Sequence, residues 1–102
     1  MLEAARDAVS FARGRAREDL AIDRMLLLSI ERAVEIIGEA ASKVSKELQS
    51  EHPEIPWADI TGMRNRLVHA YFDINIGIVW TTVVARLPAL IAQLEFLLVG
   101  YD

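Results

Sequence analysis

Hydrophobic positions recur at helical spacing along most of the chain. Residues 2–16 have the pattern of a first amphipathic helix, and Asp23, a residue type that caps helix N-termini, precedes a longer second helix to about Leu48. The apolar seam of that second helix repeats at steps of three and four residues: Leu26, Ile30, Val34, Ile37, Ala41, Val44 and Leu48. The sequence shows no strand-like alternation and no internal repeat. The pattern therefore predicts an all-α fold, an up-and-down helical bundle of four to five helices.

The second half of the chain predicts two further helices. Pro56 suits the first position of a helix because it needs no amide proton there, and the third helix then covers about residues 57–71. The apolar pattern breaks after this helix, where Asp73 or Asn75 can cap a fourth helix. The fourth helix meets Pro88, at which a kink or a new start is expected.

The second helix is apolar over more than one face. Leu27, Leu28, Ile36 and Ala40 widen its hydrophobic surface beyond the main seam. A helix this broadly apolar in a small domain indicates a second buried surface, so we predict a homodimer. Gly38 lies in the middle of the helix, where glycine costs about 1 kcal/mol relative to alanine. We therefore expect Gly38 to permit close packing of another helix.

Composition narrows the class of protein without identifying a function. A length of 102 residues predicts a single domain over residues 1–102, long enough to bury a core. The absence of cysteine excludes a disulfide framework and thiolate metal sites, and it fits a cytoplasmic location. No N-terminal signal pattern is seen, and no apolar run approaches the roughly 20 residues that span a bilayer. Because the net charge is -4, any RNA binding requires a local basic patch.

Residues 63–71 concentrate the side chains that carry chemistry: two arginines, an amide, one of the chain's two histidines and a phenol. Placed on a helical wheel, the core-facing stripe contains Trp57, Ile60, Arg64, Leu67, Val68 and Tyr71. A guanidinium in such a stripe needs an anion or a water-filled cleft, because an unpaired buried charge is very costly. Asn65 and His69 fall at i, i+4 spacing on the adjacent flank. These two residues, with Arg64 and Tyr71, are predicted to line one groove.

Three arginines, Arg13, Arg15 and Arg17, end the predicted first helix. They form either a solvated cluster that complements the helix dipole or a phosphate-contacting patch beside the groove. The sequence leaves both interpretations open.

Three glutamates, Glu31, Glu35 and Glu39, form a carboxylate ridge on the second helix at i, i+4, i+8 spacing. The ridge is either a solvated face or, through Glu35 or Glu39, the source of an ion-pair partner for Arg64. A metal site is a weaker alternative, because no second cluster of ligands joins the ridge. We therefore predict no bound metal.

The polar segment and its context carry a family resemblance. Arg64, His69 and Tyr71 have the R-x4-H-x-Y spacing of the HEPN superfamily, which the chain resembles in its HepT-like toxin branch. Asn65 is the kind of polar residue that this family favours after the arginine. Further landmarks occur in the family's order at residues 36–41, 53–57, 79–80 and 87–88. The resemblance covers about residues 1–98, and it implies a HEPN-like bundle that forms a homodimer.

The resemblance implies a metal-independent endoribonuclease without a cofactor, and the side chains suit that chemistry. An RNA 2′-hydroxyl can attack its own phosphodiester if protons are transferred and the extra phosphorane charge is stabilised. His69 suits a general acid or base, and Arg64 offers a planar donor fork for phosphate oxygens, so we predict these two as the catalytic pair. Asn65, Arg66 and Tyr71 are predicted to support catalysis or bind substrate. Since two proton transfers exceed what one histidine ideally supplies, two motifs are expected to meet at a dimer cleft.

A partner protein is also implied by the resemblance. HepT-like toxins are paired with a minimal nucleotidyltransferase antitoxin, which adds AMP to the motif tyrosine; this role maps onto Tyr71. An anionic adduct beside Arg64 and His69 would occupy the phosphate site and repel RNA. Two alternatives remain open. The chain is a non-catalytic module that binds a nucleotidyltransferase or a nucleotide, or the motif is a buried polar network that only holds the bundle together.

Overall fold

The computed structural model describes residues 1–63, Asn65, the backbone of residues 68–69 and 73–74, and residues 75–99. In chain order, the helices and strands are α1 (Leu2–Ala12), α2 (Asp19–Ile22), α3 (Arg24–Ser42), α4 (Lys46–Glu51), α5 (Trp57–Thr61), β1 (Val68–His69), β2 (Asp73–Ile74), α6 (Ile76–Thr81) and α7 (Leu87–Val99). A π-helical segment, Thr82–Arg86, joins α6 to α7. The predicted all-α helical bundle is confirmed, with a short strand pair added to it.

Side-chain caps set where the helices of the first half begin and end. Asp23 caps α3 as predicted, its carboxylate accepting a hydrogen bond from the amide of Leu26 at 3.0 Å. The predicted helix to about Leu48 is wrong in length, because α3 ends at Ser42 and α4 begins after Ser45. Ser45 caps α4 by accepting the amide of Leu48 at 3.2 Å, which makes a new helix start favourable there.

The first helix is also shorter than its apolar pattern predicted. α1 ends at Ala12, and Gly14 adopts a left-handed backbone with φ of 73°. Glycine enters that region without steric cost, whereas a continuing α-helix requires a negative φ. The chain then turns into the single-turn helix α2, whose Leu20 is buried.

Near Pro88 the last helix changes its hydrogen-bonding pattern without breaking. Asn75 caps α6, accepting the amide of Ile78 at 3.0 Å, which confirms one of the two predicted caps. Pro88 has no amide proton, so the carbonyl of Val84 loses its α-helical partner. The π-helical segment lies directly before this position and absorbs the irregularity within a continuous helix.

The core is formed where α3 packs against both α1 and α5, and where α1 packs against α7. The largest fully buried side chains are Leu20, Ile30, Val34, Ile37, Ile55, Ile60, Val79, Thr82, Val83 and Leu87. Thr82 is satisfied because its hydroxyl donates to the carbonyl of Ile78 at 2.7 Å. Within the seam predicted for the second helix, Leu26, Ile30, Val34, Ile37 and Ala41 are buried, as the spacing required.

One described stretch, Ile76–Val99, is long and apolar enough to cross a membrane by length and composition, with a mean hydropathy of 1.7 over its most apolar window. This stretch was not predicted as a membrane span, because Gln93 and Glu95 interrupt its apolar run. A third of that window, 33%, is buried inside the fold. Core helices of soluble proteins pass the same test, so the finding is weak evidence about membranes.

The predicted third helix is wrong beyond its first turns. It begins at Trp57 as expected, but the backbone of Val68 and His69 is extended and forms β1. β1 pairs antiparallel with β2, Val68 opposite Ile74 and His69 opposite Asp73. Val68 and Ile74 are β-branched residues, a type that favours an extended backbone. The hydrogen bonds between the two strands take the place of helical ones. Of the predicted core-facing stripe, Trp57 and Ile60 are buried.

Candidate functional site

The motif region is held on its N-terminal side by α5, which packs closely against α3. A Cβ atom at Gly38 would lie 3.5 Å from the carbonyl oxygens of both Ile60 and Thr61. Trp57 fixes the start of α5, because its indole nitrogen donates to the carbonyl of His52 at 3.0 Å. A helix does pack on Gly38, and it is the helix that leads into the motif, but a Cβ there would make only ordinary van der Waals contact, so the packing does not require glycine.

Of the five predicted site residues in the motif segment, Asn65 and the backbone of His69 are described, and they differ in backbone conformation. Asn65 is exposed in a helical turn, its amide donating to the carbonyl of Gly62 at 3.1 Å. His69 lies in β1, paired with Asp73. The i, i+4 relation predicted for Asn65 and His69 on one helix is therefore wrong, because the backbone of His69 is extended. Arg64, Arg66 and Tyr71 lie outside the described residues.

The carboxylate ridge of α3 is partly engaged in ion pairing. Glu35 is half-buried, with its carboxylate 3.8 Å from the guanidinium of Arg32. Glu39 is exposed. An ion pair between either glutamate and Arg64 stays a prediction, because Arg64 is not among the described residues.

The arginines after α1 separate into different environments. Arg15 lies 2.8 Å from the carboxylate of Asp23 and 3.5 Å from that of Asp19. The hydrogen bond from Arg15, with a smaller contribution from the amide of Leu26, holds the pKa of Asp23 below its ordinary value. The same hydrogen bond to Asp23 raises the pKa of Arg15. Arg15 therefore stabilises the start of α3, whereas Arg17 lies beside Gly77 at the start of α6.

Several contacts near the motif were not predicted from the sequence. Asp59 on α5 forms an ion pair with Arg86 at the end of the π-helical segment. A cavity of about 300 Å³ lies beside this pair, with Ile60, Met63 and Leu90 among its lining residues. Met63 opens the polar segment, so this cavity borders the motif region. Sequence spacing gave no signal for the pair, because its two members are joined only by tertiary packing.

The second histidine has a more defined environment than a solvated loop residue. The Nδ1 atom of His52 lies 3.3 Å from the carboxylate of Glu54.

Across the described part of the chain, no group of three or more His, Cys, Asp or Glu side chains is arranged to hold a metal ion.

Comparison with known proteins identifies the family. The family model described as "Ribonuclease HepT-like" matches residues 1–97. A protein of Caldanaerobacter subterraneus subsp. tengcongensis, named as a proposed RNase, is 38% identical over 86 residues, which cover 84% of this chain and 77% of the relative. "Probable ribonuclease HepT" of Thermococcus cleftensis is 38% identical over 85 residues, 83% of this chain and 77% of the relative. No solved structure matches this chain. The chain therefore belongs to the HepT-like ribonuclease family.

Proposed function

We propose that this chain is a metal-independent endoribonuclease that acts in the cytoplasm as the toxin of a toxin–antitoxin pair. The observation that carries the proposal is the R-x4-H-x-Y spacing of Arg64, His69 and Tyr71 in a member of a ribonuclease family. In this proposal His69 transfers the proton and Arg64 neutralises phosphorane charge. Asn65 and Arg66 support this pair and contact the substrate.

The described neighbourhood of the motif fits a catalytic role. α5, anchored by Trp57 and packed on Gly38, precedes the motif, and β2 leads through Asn75 directly into α6. His69 therefore belongs to an antiparallel strand pair that lies between α5 and α6 in chain order. A site held between packed elements loses less activity to misplaced groups than one on a free loop.

The experiment that tests the activity is incubation of a mixed RNA pool with the purified protein in EDTA. Cleavage under these conditions supports a metal-independent nuclease. If intact RNA persists while the protein carries no AMP adduct by mass spectrometry, the nuclease proposal is rejected. Binding of a nucleotidyltransferase without cleavage would then favour the non-catalytic module.

We further propose a homodimer formed through an exposed apolar groove between α1 and α3, called here the α1–α3 groove. Its apolar walls are Phe11, Met25, Leu28 and Ile36, and its volume is about 620 Å³. Met25 is 79% exposed in the single chain, and it adjoins the three other apolar side chains of the groove. Single exposed apolar residues are common on soluble proteins, whereas a contiguous exposed patch marks an interaction surface.

The charges at the α1–α3 groove suit pairing of two identical copies. Asp7 on α1 and Arg32 on α3 both line it. A two-fold axis sets each residue of one copy against a residue of the other, so opposite charges on one surface can pair reciprocally. Ile36 and Gly38 are two positions apart and face opposite sides of α3, so the proposed interface and the contact of α3 with α5 use different faces of that helix.

We expect Leu28→Glu to weaken the dimer by about 100-fold or more, because it buries an uncompensated carboxylate at the interface. Leu28 is 41% exposed, so the monomer tolerates the change. The measurement is molar mass by light scattering across a dilution series. Phe96→Glu is the matched control, because Phe96 is 81% exposed on α7 outside the groove. Equal dissociation of both variants, or of neither, would contradict this assignment of the interface.

The proposed antitoxin is a minimal nucleotidyltransferase that silences the toxin by adding AMP to Tyr71. With the cognate enzyme and ATP, we expect the chain to gain the mass of AMP and to lose RNA cleavage, because the adduct brings negative charge to the phosphate site. The chain has two tyrosines, so Tyr71→Phe and Tyr101→Phe form a matched pair. Only Tyr71→Phe should remain unmodified. An adduct that persists in Tyr71→Phe would exclude this acceptor.

A further inference from the structure

The three methionines of the chain differ in their exposure to solvent. Met63 is buried in the core, with 3% of its surface exposed, and Met1 is partly buried against the core. Met25, in the first turn of α3, is 79% exposed. The chain has no cysteine, so no thiol competes for an oxidant. Met25 is therefore the sulfur-containing side chain that a dissolved oxidant reaches first.

The exposure of Met25 follows from its place on the helix. The two residues after it, Leu26 and Leu27, are buried in the core. Asp23 caps the same turn, so the residue at which the helix begins is fixed and its faces are set. Met25 therefore stays on the outer face of α3, where it contributes little to the core of the single chain.

Met25 lies where two cavities on the outer face of α3 adjoin. One is the α1–α3 groove, and the other is a smaller cavity of about 250 Å³, called here the Arg15 cavity. Phe11, Met25 and Ser29 line both cavities. The thioether thus belongs to the proposed dimer surface and also to a neighbouring cavity that contains a guanidinium.

The Arg15 cavity offers hydrogen-bond donors to an oxygen atom on Met25. A guanidinium has five N–H donors, whereas a thioether sulfur is only a weak acceptor. Among the described residues, Arg15 donates from Nε to Asp19 at 3.5 Å and from Nη2 to Asp23 at 2.8 Å. These bonds occupy only part of the donor set, so Arg15 has N–H groups for a stronger acceptor in the same cavity.

We propose that Met25 is an oxidation site whose sulfoxide blocks self-association through the α1–α3 groove. This inference rests on the proposed homodimer and adds a means of regulating it. In the reaction, the sulfur lone pair attacks one oxygen of hydrogen peroxide, the O–O bond breaks and the S–O bond forms. The other oxygen leaves with both protons as water. The thioether is oxidised by two electrons to the sulfoxide, and the peroxide is reduced.

The sulfoxide opposes pairing because it places a polar oxygen in an apolar contact. A buried acceptor without a hydrogen-bond partner lowers affinity about tenfold, and two-fold symmetry brings one sulfoxide to the contact from each copy. We therefore expect oxidation to raise the dissociation constant of the dimer about 100-fold. In the separated chain, water and the guanidinium of Arg15 are available to the same oxygen.

Pairing and oxidation compete for the same side chain. A second copy in the α1–α3 groove covers Met25, so the oxidant acts on the separated chain, and the oxidised chain then remains separated. The rate of Met25 oxidation should therefore fall as the protein concentration rises through the dissociation constant of the dimer.

The test treats the purified protein with hydrogen peroxide and follows its molar mass by light scattering across a dilution series. Mass spectrometry of tryptic peptides locates the added oxygen, which we expect on Met25 before Met63. Met25→Leu is the matched variant, because leucine is apolar and peroxide does not oxidise it. Its self-association should be the same before and after peroxide, whereas that of the wild type should weaken. A methionine sulfoxide reductase should restore pairing of the oxidised wild type.

Met25→Gln supplies a second variant, since its polar amide imitates the sulfoxide without an oxidant and should weaken pairing before any treatment. If the wild type carries the sulfoxide on Met25 and still dimerises as before, the inference is overturned while the homodimer stands. The same conclusion follows if peroxide weakens the wild type and Met25→Leu alike. If the untreated wild type is monomeric at every concentration, the homodimer and the inference are both overturned.

Discussion

Replacing His69 with alanine is expected to lower RNA cleavage by at least about a thousandfold, within the range that general acid–base groups contribute. An imidazole exchanges protons near neutral pH, which alanine cannot do, and loss of the side chain leaves the 2′-hydroxyl and the leaving oxygen without a proton carrier. The backbone of His69 contributes its strand pairing with Asp73 whichever side chain it carries. The measurement is cleavage of a mixed RNA pool in EDTA, with the fold of each protein checked by circular dichroism.

His52 supplies a matched control for this experiment, because it is the chain's other histidine. Its imidazole contacts Glu54, and its carbonyl accepts the indole of Trp57. His52→Ala keeps that carbonyl and should therefore cleave RNA like the wild type. Equal cleavage by the wild type and by His69→Ala would assign the activity to a contaminant or to another site. Loss of cleavage in His52→Ala alone would move the catalytic histidine to the loop before α5.

The second large effect is a loss of folding stability. Two adjacent isoleucines on α3, Ile37 and Ile36, allow a core position to be compared with an exposed one. Ile37→Ala is expected to lower the free energy of unfolding by about 2–5 kcal/mol, because it leaves a cavity in the core. Ile37 is 0% exposed, whereas Ile36 is 40% exposed at the α1–α3 groove. Domains of this size have a total stability of about 5–15 kcal/mol, so the loss at Ile37 threatens folding itself.

Urea denaturation at a protein concentration low enough for every variant to be monomeric measures both changes, since a dimer adds a concentration-dependent contribution to the apparent stability. Ile36→Ala should change the unfolding free energy of the monomer by less than about 1 kcal/mol. It should instead weaken self-association, because Ile36 lines the proposed interface. If Ile36→Ala destabilised the monomer as much as Ile37→Ala does, the division of α3 into a core face and an interface would be wrong.

The sequence predicted the fold where local signals and the apolar seam agree. Asp23 was predicted as a cap and Asn75 as one of two candidate caps, and both accept the expected amide hydrogen bond. Ile30 and Ile37 belong to the apolar seam predicted for the second helix and are fully buried. Local capping and burial on one helix face need no knowledge of distant residues, so they can be derived from spacing alone.

Helix lengths were predicted less well, because apolar spacing continues through positions where the backbone does not. Val44 and Leu48 keep the three-and-four spacing after α3 has ended at Ser42. The apolar spacing gives no indication that Ser45 caps a new helix. At the other end of the bundle, Pro88 correctly marked an irregularity, but its form, a π-helical segment, depends on how the preceding turn redistributes its hydrogen bonds.

The residues of the candidate site were predicted from their clustering and from the family spacing, and their roles stay predictions. The helical conformation predicted for them is wrong at Val68 and His69, whose backbone is extended. The extended backbone of His69 arises from pairing with Asp73, a contact that helical periodicity does not anticipate. Arg17 and Gly77 illustrate the same limit, since their proximity depends on how α2 packs against α6. Contacts between residues distant in sequence therefore determine these features, and local sequence patterns do not predict them.

Trp57, whose indole donates to the carbonyl of His52, also makes the packing around the motif measurable by intrinsic fluorescence. The chain has two tryptophans, Trp57 at the start of α5 and Trp80 in α6, so one precedes the motif and the other follows it. Trp57 is buried and Trp80 is partly buried against the core. Indole emission shifts to longer wavelength when water reaches the ring. The intrinsic fluorescence of a motif variant consequently reports whether the two helices that frame the motif remain packed, without a label and in the same cuvette as the RNA.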